Sequence, residues 1–225
     1  MKLKITAKYT IAFLSLLFIM SELHEIVHTS VGRLICGAWG KRDFNSWAVC
    51  ESCESNSLVW LSTLAGPVFT FIMIWIGASK LDASKSIRQK SLGFSLIFAN
   101  LPFGRLFNPM MKSGDEQNLV NLIFTNENTA SIITFILILI VTIYPLIKAF
   151  KTIENKRKIG YFILFYLAPF IIVIVTILVF LNTLLSLGIL NGEGLLGSPL
   201  IVNVWSVFVL IVFIIMRKHI FTLGE

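Results

Sequence analysis

The chain has 225 residues, 56% of them hydrophobic and only 14% charged, where a soluble domain carries about 25% charged residues. That balance excludes a water-exposed globule, and the long unbroken apolar runs exclude the alternating strands of a barrel, which leaves a polytopic helical membrane protein. The net charge of +7 does not point to nucleic acid, because the cations gather at the ends of apolar runs, where membrane topology calls for them.

A helix needs about 20 apolar residues to cross a bilayer. Stretches at 9–35, 58–79, 91–109, 131–150, 161–185 and 199–216 are read as spans, so the expected fold is all-α with about six transmembrane helices. The basic start and apolar run of residues 1–20 look like a signal peptide, but Ser21-Glu22-Leu23-His24 stands where a small-x-small cleavage site would follow. An uncleaved first helix is therefore expected.

The connections test this count. Lys2, Lys4 and Lys8 precede the first span; Lys80, Lys85, Arg88 and Lys90 join the second to the third. Lys148, Lys151, Lys156, Arg157 and Lys158 join the fourth to the fifth, and Arg217 and Lys218 follow the sixth. The other three connections are neutral or acidic. Basic and non-basic segments thus alternate without a break, which places both termini in the cytoplasm of a multi-pass cell-membrane protein, read as a bacterial inner or plasma membrane.

The first span is unusual in carrying Glu22, His24, Glu25, His28 and Arg33 in its second half. Ionisable groups inside a span are costly and mark function. His24 and His28 are four apart, so they project from one helix face one turn apart, where neutral imidazoles can share one Zn2+. Glu25 sits beside them, placed to take a proton from water and return it to a leaving amine. Catalytic zinc takes a third protein ligand. His219 follows the sixth span on the opposite side, so carboxylates are the better candidates. His24 falls in the outer half of the bilayer, and Asp115 and Glu116 follow the third span on that side. Asp115 is favoured, because Gly114 lets the backbone turn back towards the metal.

Arg33 and Arg105 lie near the outer ends of their spans. They read as cations snorkelling to the headgroups, with pairing to Glu22 or Asp115, or binding of a substrate carbonyl or carboxylate, as alternatives. The loop after the first span holds Cys50-Glu51-Ser52-Cys53, with Cys36 nearby. An oxidising extracytoplasmic side favours a Cys50–Cys53 disulfide over free thiols, metal binding or redox chemistry. Trp39, Phe44 and Trp47 of the same loop suit the membrane interface; the loop is also placed to cap the site or guide substrate.

His24-Glu25-Ile26-Val27-His28 inside a membrane helix resembles the site-2 protease family of intramembrane zinc metalloproteases. Leu64-Ala65-Gly66-Pro67 is similar to that family's Ala-Gly-Pro segment, and Asn100-Leu101-Pro102 followed by Gly114-Asp115 to its Asn-x-x-Pro and Asp-Gly elements. Asn100 and Pro102 stand one residue closer than the family pattern, Asp115 lies farther on, and Glu116 replaces the Gly after it. The resemblance implies that residues 1–120 form a catalytic core of three transmembrane helices and that 121–225 add three more. It implies His24, His28 and Asp115 as ligands of Zn2+, Glu25 as the catalytic base and Asn100 as a residue that places substrate or the oxyanion. The partners it implies are a membrane-protein substrate and the lipid bilayer, with the active site towards the extracytoplasmic side. A metal-binding transporter or sensor, or a catalytically degenerate scaffold, is the alternative. Ionisable residues on several spans would mark a transport pathway, and the fourth to sixth spans carry none in their apolar centres.

Overall fold

The structure, a computed structural model, describes residues 1–53 and 55–224. Helix α1 (Ala7–Cys36) opens on Thr6, whose side chain accepts from the Tyr9 amide. It ends on Gly37, whose left-handed backbone returns its N–H to the Arg33 carbonyl, the Cβ-free residue such a stop needs. After a loop and a 3₁₀ turn at Glu51–Cys53 come α2 (Trp60–Ser79), α3 (Ile87–Ala99), α4 (Pro102–Met110), α5 (Asp115–Asn121) and α6 (Glu127–Thr152). Helix α7 (Lys158–Val173) runs on through a π-helical stretch, Ile174–Leu181, into α8 (Asn182–Ser186), and α9 (Leu200–Met216) closes the bundle.

Five helical stretches are long and apolar enough to cross a membrane: Ala7–Cys36, Trp60–Ser79, Glu127–Thr152, Lys158–Ser186 and Leu200–Thr222. The chain is thus a helical membrane protein. The third expected span, 91–109, is instead split into α3 and α4. The cause is local. Pro102 cannot donate its N–H and disfavours a right-handed helical residue before it, and the helix breaks at Leu101, whose backbone is left-handed (φ 52°, ψ 52°). Asn100 offsets part of the damage, its side-chain amide donating to the Leu96 carbonyl at 2.7 Å. Broken helices at membrane depth persist where the freed backbone is buried or lines a cavity, and α4 does the latter.

One cluster of buried side chains joins α1 (Tyr9, Phe13, Leu16, Leu17), α2 (Ile74, Ala78), α3 (Phe94, Ile97, Phe98) and Phe165 of α7. Helices α2 and α3 meet glycine to glycine. A Cβ on Gly77 would lie 2.7 Å from the Gly93 carbonyl oxygen, and one on Gly93 2.5 Å from that of Gly77. Small residues permit this backbone approach, the main source of helix attraction where lipid tails replace water.

The two ends of the bundle differ in charge. At one end the Met1 amino group pairs with Glu154 at 2.9 Å, the Lys4 amide donates to the Leu223 carbonyl, and Lys148 pairs with Asp82. Both chain ends and the basic connections 80–86 and 153–157 therefore gather together. At the other end the Arg42 amide donates to the Gly197 carbonyl, Asn182 donates to Asn45 at 2.8 Å, and Trp47 reaches Asp115. This grouping follows the charge alternation.

Candidate metal centre

The site is assembled from α1, α2, α4, α5 and the loop 37–59. On α1 the spacing of His24 and His28 puts both rings on the face turned to α2, where both are buried. Their outer nitrogens are fixed first. His28 Nδ1 lies 2.6 Å from the Ser62 carbonyl oxygen; a carbonyl only accepts, so Nδ1 carries the proton and Nε2 presents a lone pair. His24 Nδ1 lies 3.0 Å from Thr70 Oγ1, a hydroxyl that can accept in the same way. Outer-shell partners of this kind set the tautomer of a metal-binding imidazole.

The inner atoms converge. His24 Nε2 and His28 Nε2 are 3.0 Å apart, and Asp115 Oδ2 stands 3.1 Å from the first and 3.3 Å from the second. A triangle with those edges has its corners about 2 Å from a point just off its plane, the bond length zinc takes with imidazole nitrogen and carboxylate oxygen. Gly66 of α2 closes the other side. A Cβ there would come 2.1 Å from His28 Nε2 and 2.6 Å from His24 Cε1, so only glycine leaves room beside the pair. The next residue, Pro67, removes the helical donor to the Thr63 carbonyl, and Thr63 lies on the cavity wall.

That cavity holds about 450 Å³ and is lined by His24, Glu25, Arg105 and Asp115 on one side. Phe170, Val173, Ile174, Ile177 and Leu178 of α7 and its π-helical extension form the apolar side. Glu25 is buried, and its Oε2 is without a hydrogen-bond partner among the described residues. Trp47 stacks on His28, the rings 4.6 Å apart at 13°, and its Nε1 donates to Asp115 Oδ1 at 3.5 Å. Burial opposes the ionisation of Asp115, and the positive charge of Arg105 favours it.

Several expected residues therefore meet and others do not. His24, His28 and Asp115 come together, with Glu25 on the same cavity. Glu116 turns instead to Arg105, at 3.5 Å. Asn100 donates its side-chain amide to the Leu96 carbonyl at the end of α3 and is not among the residues lining the cavity. The cysteine pairing is a correction. The disulfide joins Cys36 to Cys53, with Cα atoms 5.5 Å apart, and Cys50 is free. The 3₁₀ turn, closed by the Cys53 amide on the Cys50 carbonyl, buries Cys53, which bonds to the C-terminal residue of α1 and not to its neighbour in the turn. The second half of α1 also holds Glu22, which accepts from Arg42 Nη1 at 3.0 Å and faces Ser206 Oγ of α9 at 2.7 Å. Arg33 stacks over Trp39. Arg105, expected to snorkel to the headgroups with pairing to Asp115 as an alternative, lies 3.6 Å from Asp115, and the loop expected at the membrane interface or over the site brings Trp47 onto His28.

No family model, curated protein or solved structure matches the chain.

Proposed function

We propose that this chain is an intramembrane zinc metalloprotease of the site-2 type, which hydrolyses peptide bonds of membrane-embedded or membrane-adjacent proteins. One observation carries the reading: the His24, His28 and Asp115 ligand atoms converge at zinc-binding distances beside a cavity that also receives Glu25, whose Oε2 has no partner among the described residues. Two imidazoles and one carboxylate are a donor set typical of catalytic zinc, with a fourth position left open. Zinc held there supplies Lewis-acid chemistry that makes water acidic near neutral pH and polarises a carbonyl.

The chain's own residues do the rest. Glu25 takes a proton from water as the water oxygen attacks the scissile carbonyl carbon, and the carbonyl π pair moves onto oxygen. When that oxyanion collapses, the C–N bond breaks and Glu25 returns its proton to the leaving nitrogen. The Ser62 carbonyl and Thr70 hydroxyl hold the two histidines in the required tautomer, and Trp47 covers the His28 ring. The apolar wall from Phe170 to Leu178 suits the side chains of a segment drawn from lipid. Such a segment must enter unwound, because a helical backbone keeps its carbonyls bonded. On this reading the site faces the extracytoplasmic side, as the positive-inside bias of the connections favours.

The test begins with purified protein in lipid nanodiscs, which should hold about one zinc per chain. Single-span peptides co-reconstituted with it should be cleaved, as read by mass spectrometry. Glu25→Gln should keep the metal and lose about 10²- to 10⁴-fold in rate. Undiminished cleavage would exclude Glu25 as the base, and metal-free protein that still cleaves would end the reading.

A further inference from the structure

Among the described residues Arg105 is the one strong cation in the wall of the cavity, and the chemistry just described does not use it. Its place is set by the break in the third span. Leu101 turns left-handed, Pro102 starts α4, and the Arg105 amide closes the first turn on the Leu101 carbonyl at 3.1 Å. The side chain then points across the cavity to the metal ligands. Nη2 lies 3.1 Å from His24 Nε2 and 3.0 Å from its Nδ1, with Thr70 Oγ1 at 3.5 Å. Nη1 lies 3.5 Å from Glu116 and 3.6 Å from Asp115.

Two features separate this arginine from a structural ion pair. First, it is under-paired. A guanidinium committed to a carboxylate makes two bonds of about 2.8 Å, whereas both carboxylates here stand at 3.5 Å or beyond and its side chain is only 13% exposed. His24 is a poor substitute, because one of its nitrogens faces Thr70 and the other faces into the ligand triangle. The guanidinium is thus held beside the reaction centre with donors to spare. Second, its charge is balanced for work next to a dication. Glu116 and Asp115 flank it, so it can stay when a metal ion binds. Asn100, the residue that the resemblance gives this task, is turned away and bonded to Leu96.

We propose that Arg105 is a catalytic residue of this site, donating hydrogen bonds to the oxygen of the scissile carbonyl as that oxygen becomes an oxyanion. The inference rests on the protease reading above. Arg105 gives up no proton in this step. The electron pair that leaves the carbonyl π bond stays on oxygen, stabilised by two fixed N–H groups and their positive charge, until the C–N bond breaks. Preorganised donors aimed at charge that develops only in the transition state raise kcat and leave KM little changed.

The experiment compares wild type with Arg105→Ala, Arg105→Lys and Glu25→Gln in zinc-loaded protein. Arg105→Ala should keep one zinc per chain and lose about 10²- to 10³-fold in kcat, the cost of one oxyanion donor, with KM within about threefold. Added guanidinium ion should restore part of the rate to Arg105→Ala and none to Glu25→Gln. A phosphinic peptide, which carries the tetrahedral oxyanion, should lose affinity for Arg105→Ala by about the same factor as kcat, while the cleavage-product peptide should not. Loss of zinc from both Arg105 variants would make the residue structural and overturn the proposal. So would a raised KM with kcat intact, which would assign it to ground-state binding, or an unchanged phosphinate affinity. Wild type that cleaves nothing is a different outcome: it removes the protease reading itself.

Discussion

The half of the chain from α1 to α5 is less apolar than the half from α6 to α9, with spans of mean hydropathy 1.6 and 1.7 against 2.6, 3.0 and 2.5, and the two spend their interiors differently. The first half buries Glu22, His24, Glu25, His28, Ser62, Thr70, Glu116 and Gln117. In α6, α7 and α9 the buried positions are mostly apolar, with Thr134 and Thr142 bonded back to their own helix. Exposed Ile136, Ile140, Ile163, Ile171, Val204 and Ile211 in this half face the surroundings, as helices solvated by lipid should. The first half carries polar groups that would be costly in lipid unless paired, and the second supplies the frame and the apolar cavity wall. Substitutions should therefore cost more in the first half, and most where a polar group loses its partner or its space.

The largest effect should come from a residue with no polar group at all. Gly66→Ala would drive a methyl to 2.1 Å from His28 Nε2, and α2 cannot back away without opening its packing on α1. Metal content by mass spectrometry should fall from one per chain to near zero, while the same change at Gly160, where a Cβ meets nothing within 4 Å, should leave it unchanged. Full zinc occupancy in Gly66→Ala would break the geometric account of the site.

Next comes the buried pair of Glu22 and Arg42, 3.0 Å apart and both nearly sealed from solvent. Arg42→Ala leaves the carboxylate uncompensated and should cost about 3–5 kcal/mol, with the loop 37–59 losing protease protection before the rest of the chain. Adding Glu22→Gln to it should recover much of the loss. A double variant as unstable as the single one would show that the loss does not come from an uncompensated Glu22 carboxylate. Cys53→Ser should cost less, about 3 kcal/mol for a closed loop of this length. Reductant should lower the melting temperature of wild type and leave Cys53→Ser unmoved, and Cys50→Ser should behave as wild type.

What the sequence showed and what it hid divide along the range of the interactions. His24, Glu25 and His28 were legible because one helix turn fixes their relation, and the grouping of basic connections followed from counting charges between apolar runs. Asp115 could be named because Gly114 and the topology brought its segment to the same end. The break at Asn100-Leu101-Pro102 was readable in principle from Pro102; the hydrophobic run around it masked the signal. Pairing of Arg105 with Asp115 was readable only as an alternative, and Trp47 on His28 and the Cys36–Cys53 bond were not readable. Each depends on how a loop folds back over a site built from residues far away in the chain, and spacing carries no information about that.

The smallest effect tests whether the division into two halves is complete. Ser206 of α9 lies 2.7 Å from Glu22 Oε2 and 2.8 Å from the Val202 carbonyl oxygen, and it has one proton to give. A bond to an ionised carboxylate is stronger than one to a neutral carbonyl, so the proton belongs to Glu22, and α9 supports the first half at this point. Its neighbour Val207 is exposed. Ser206→Ala should therefore lower stability by about 1 kcal/mol, a shift of about 2–4 °C in melting temperature for a chain of this size. Val207→Ala should stay within about 0.5 kcal/mol. In the Glu22→Gln background the Ser206 effect should shrink, because the acceptor has lost its charge. Equal effects at 206 and 207 would mean that α9 only packs, and that the polar network ends at Arg42.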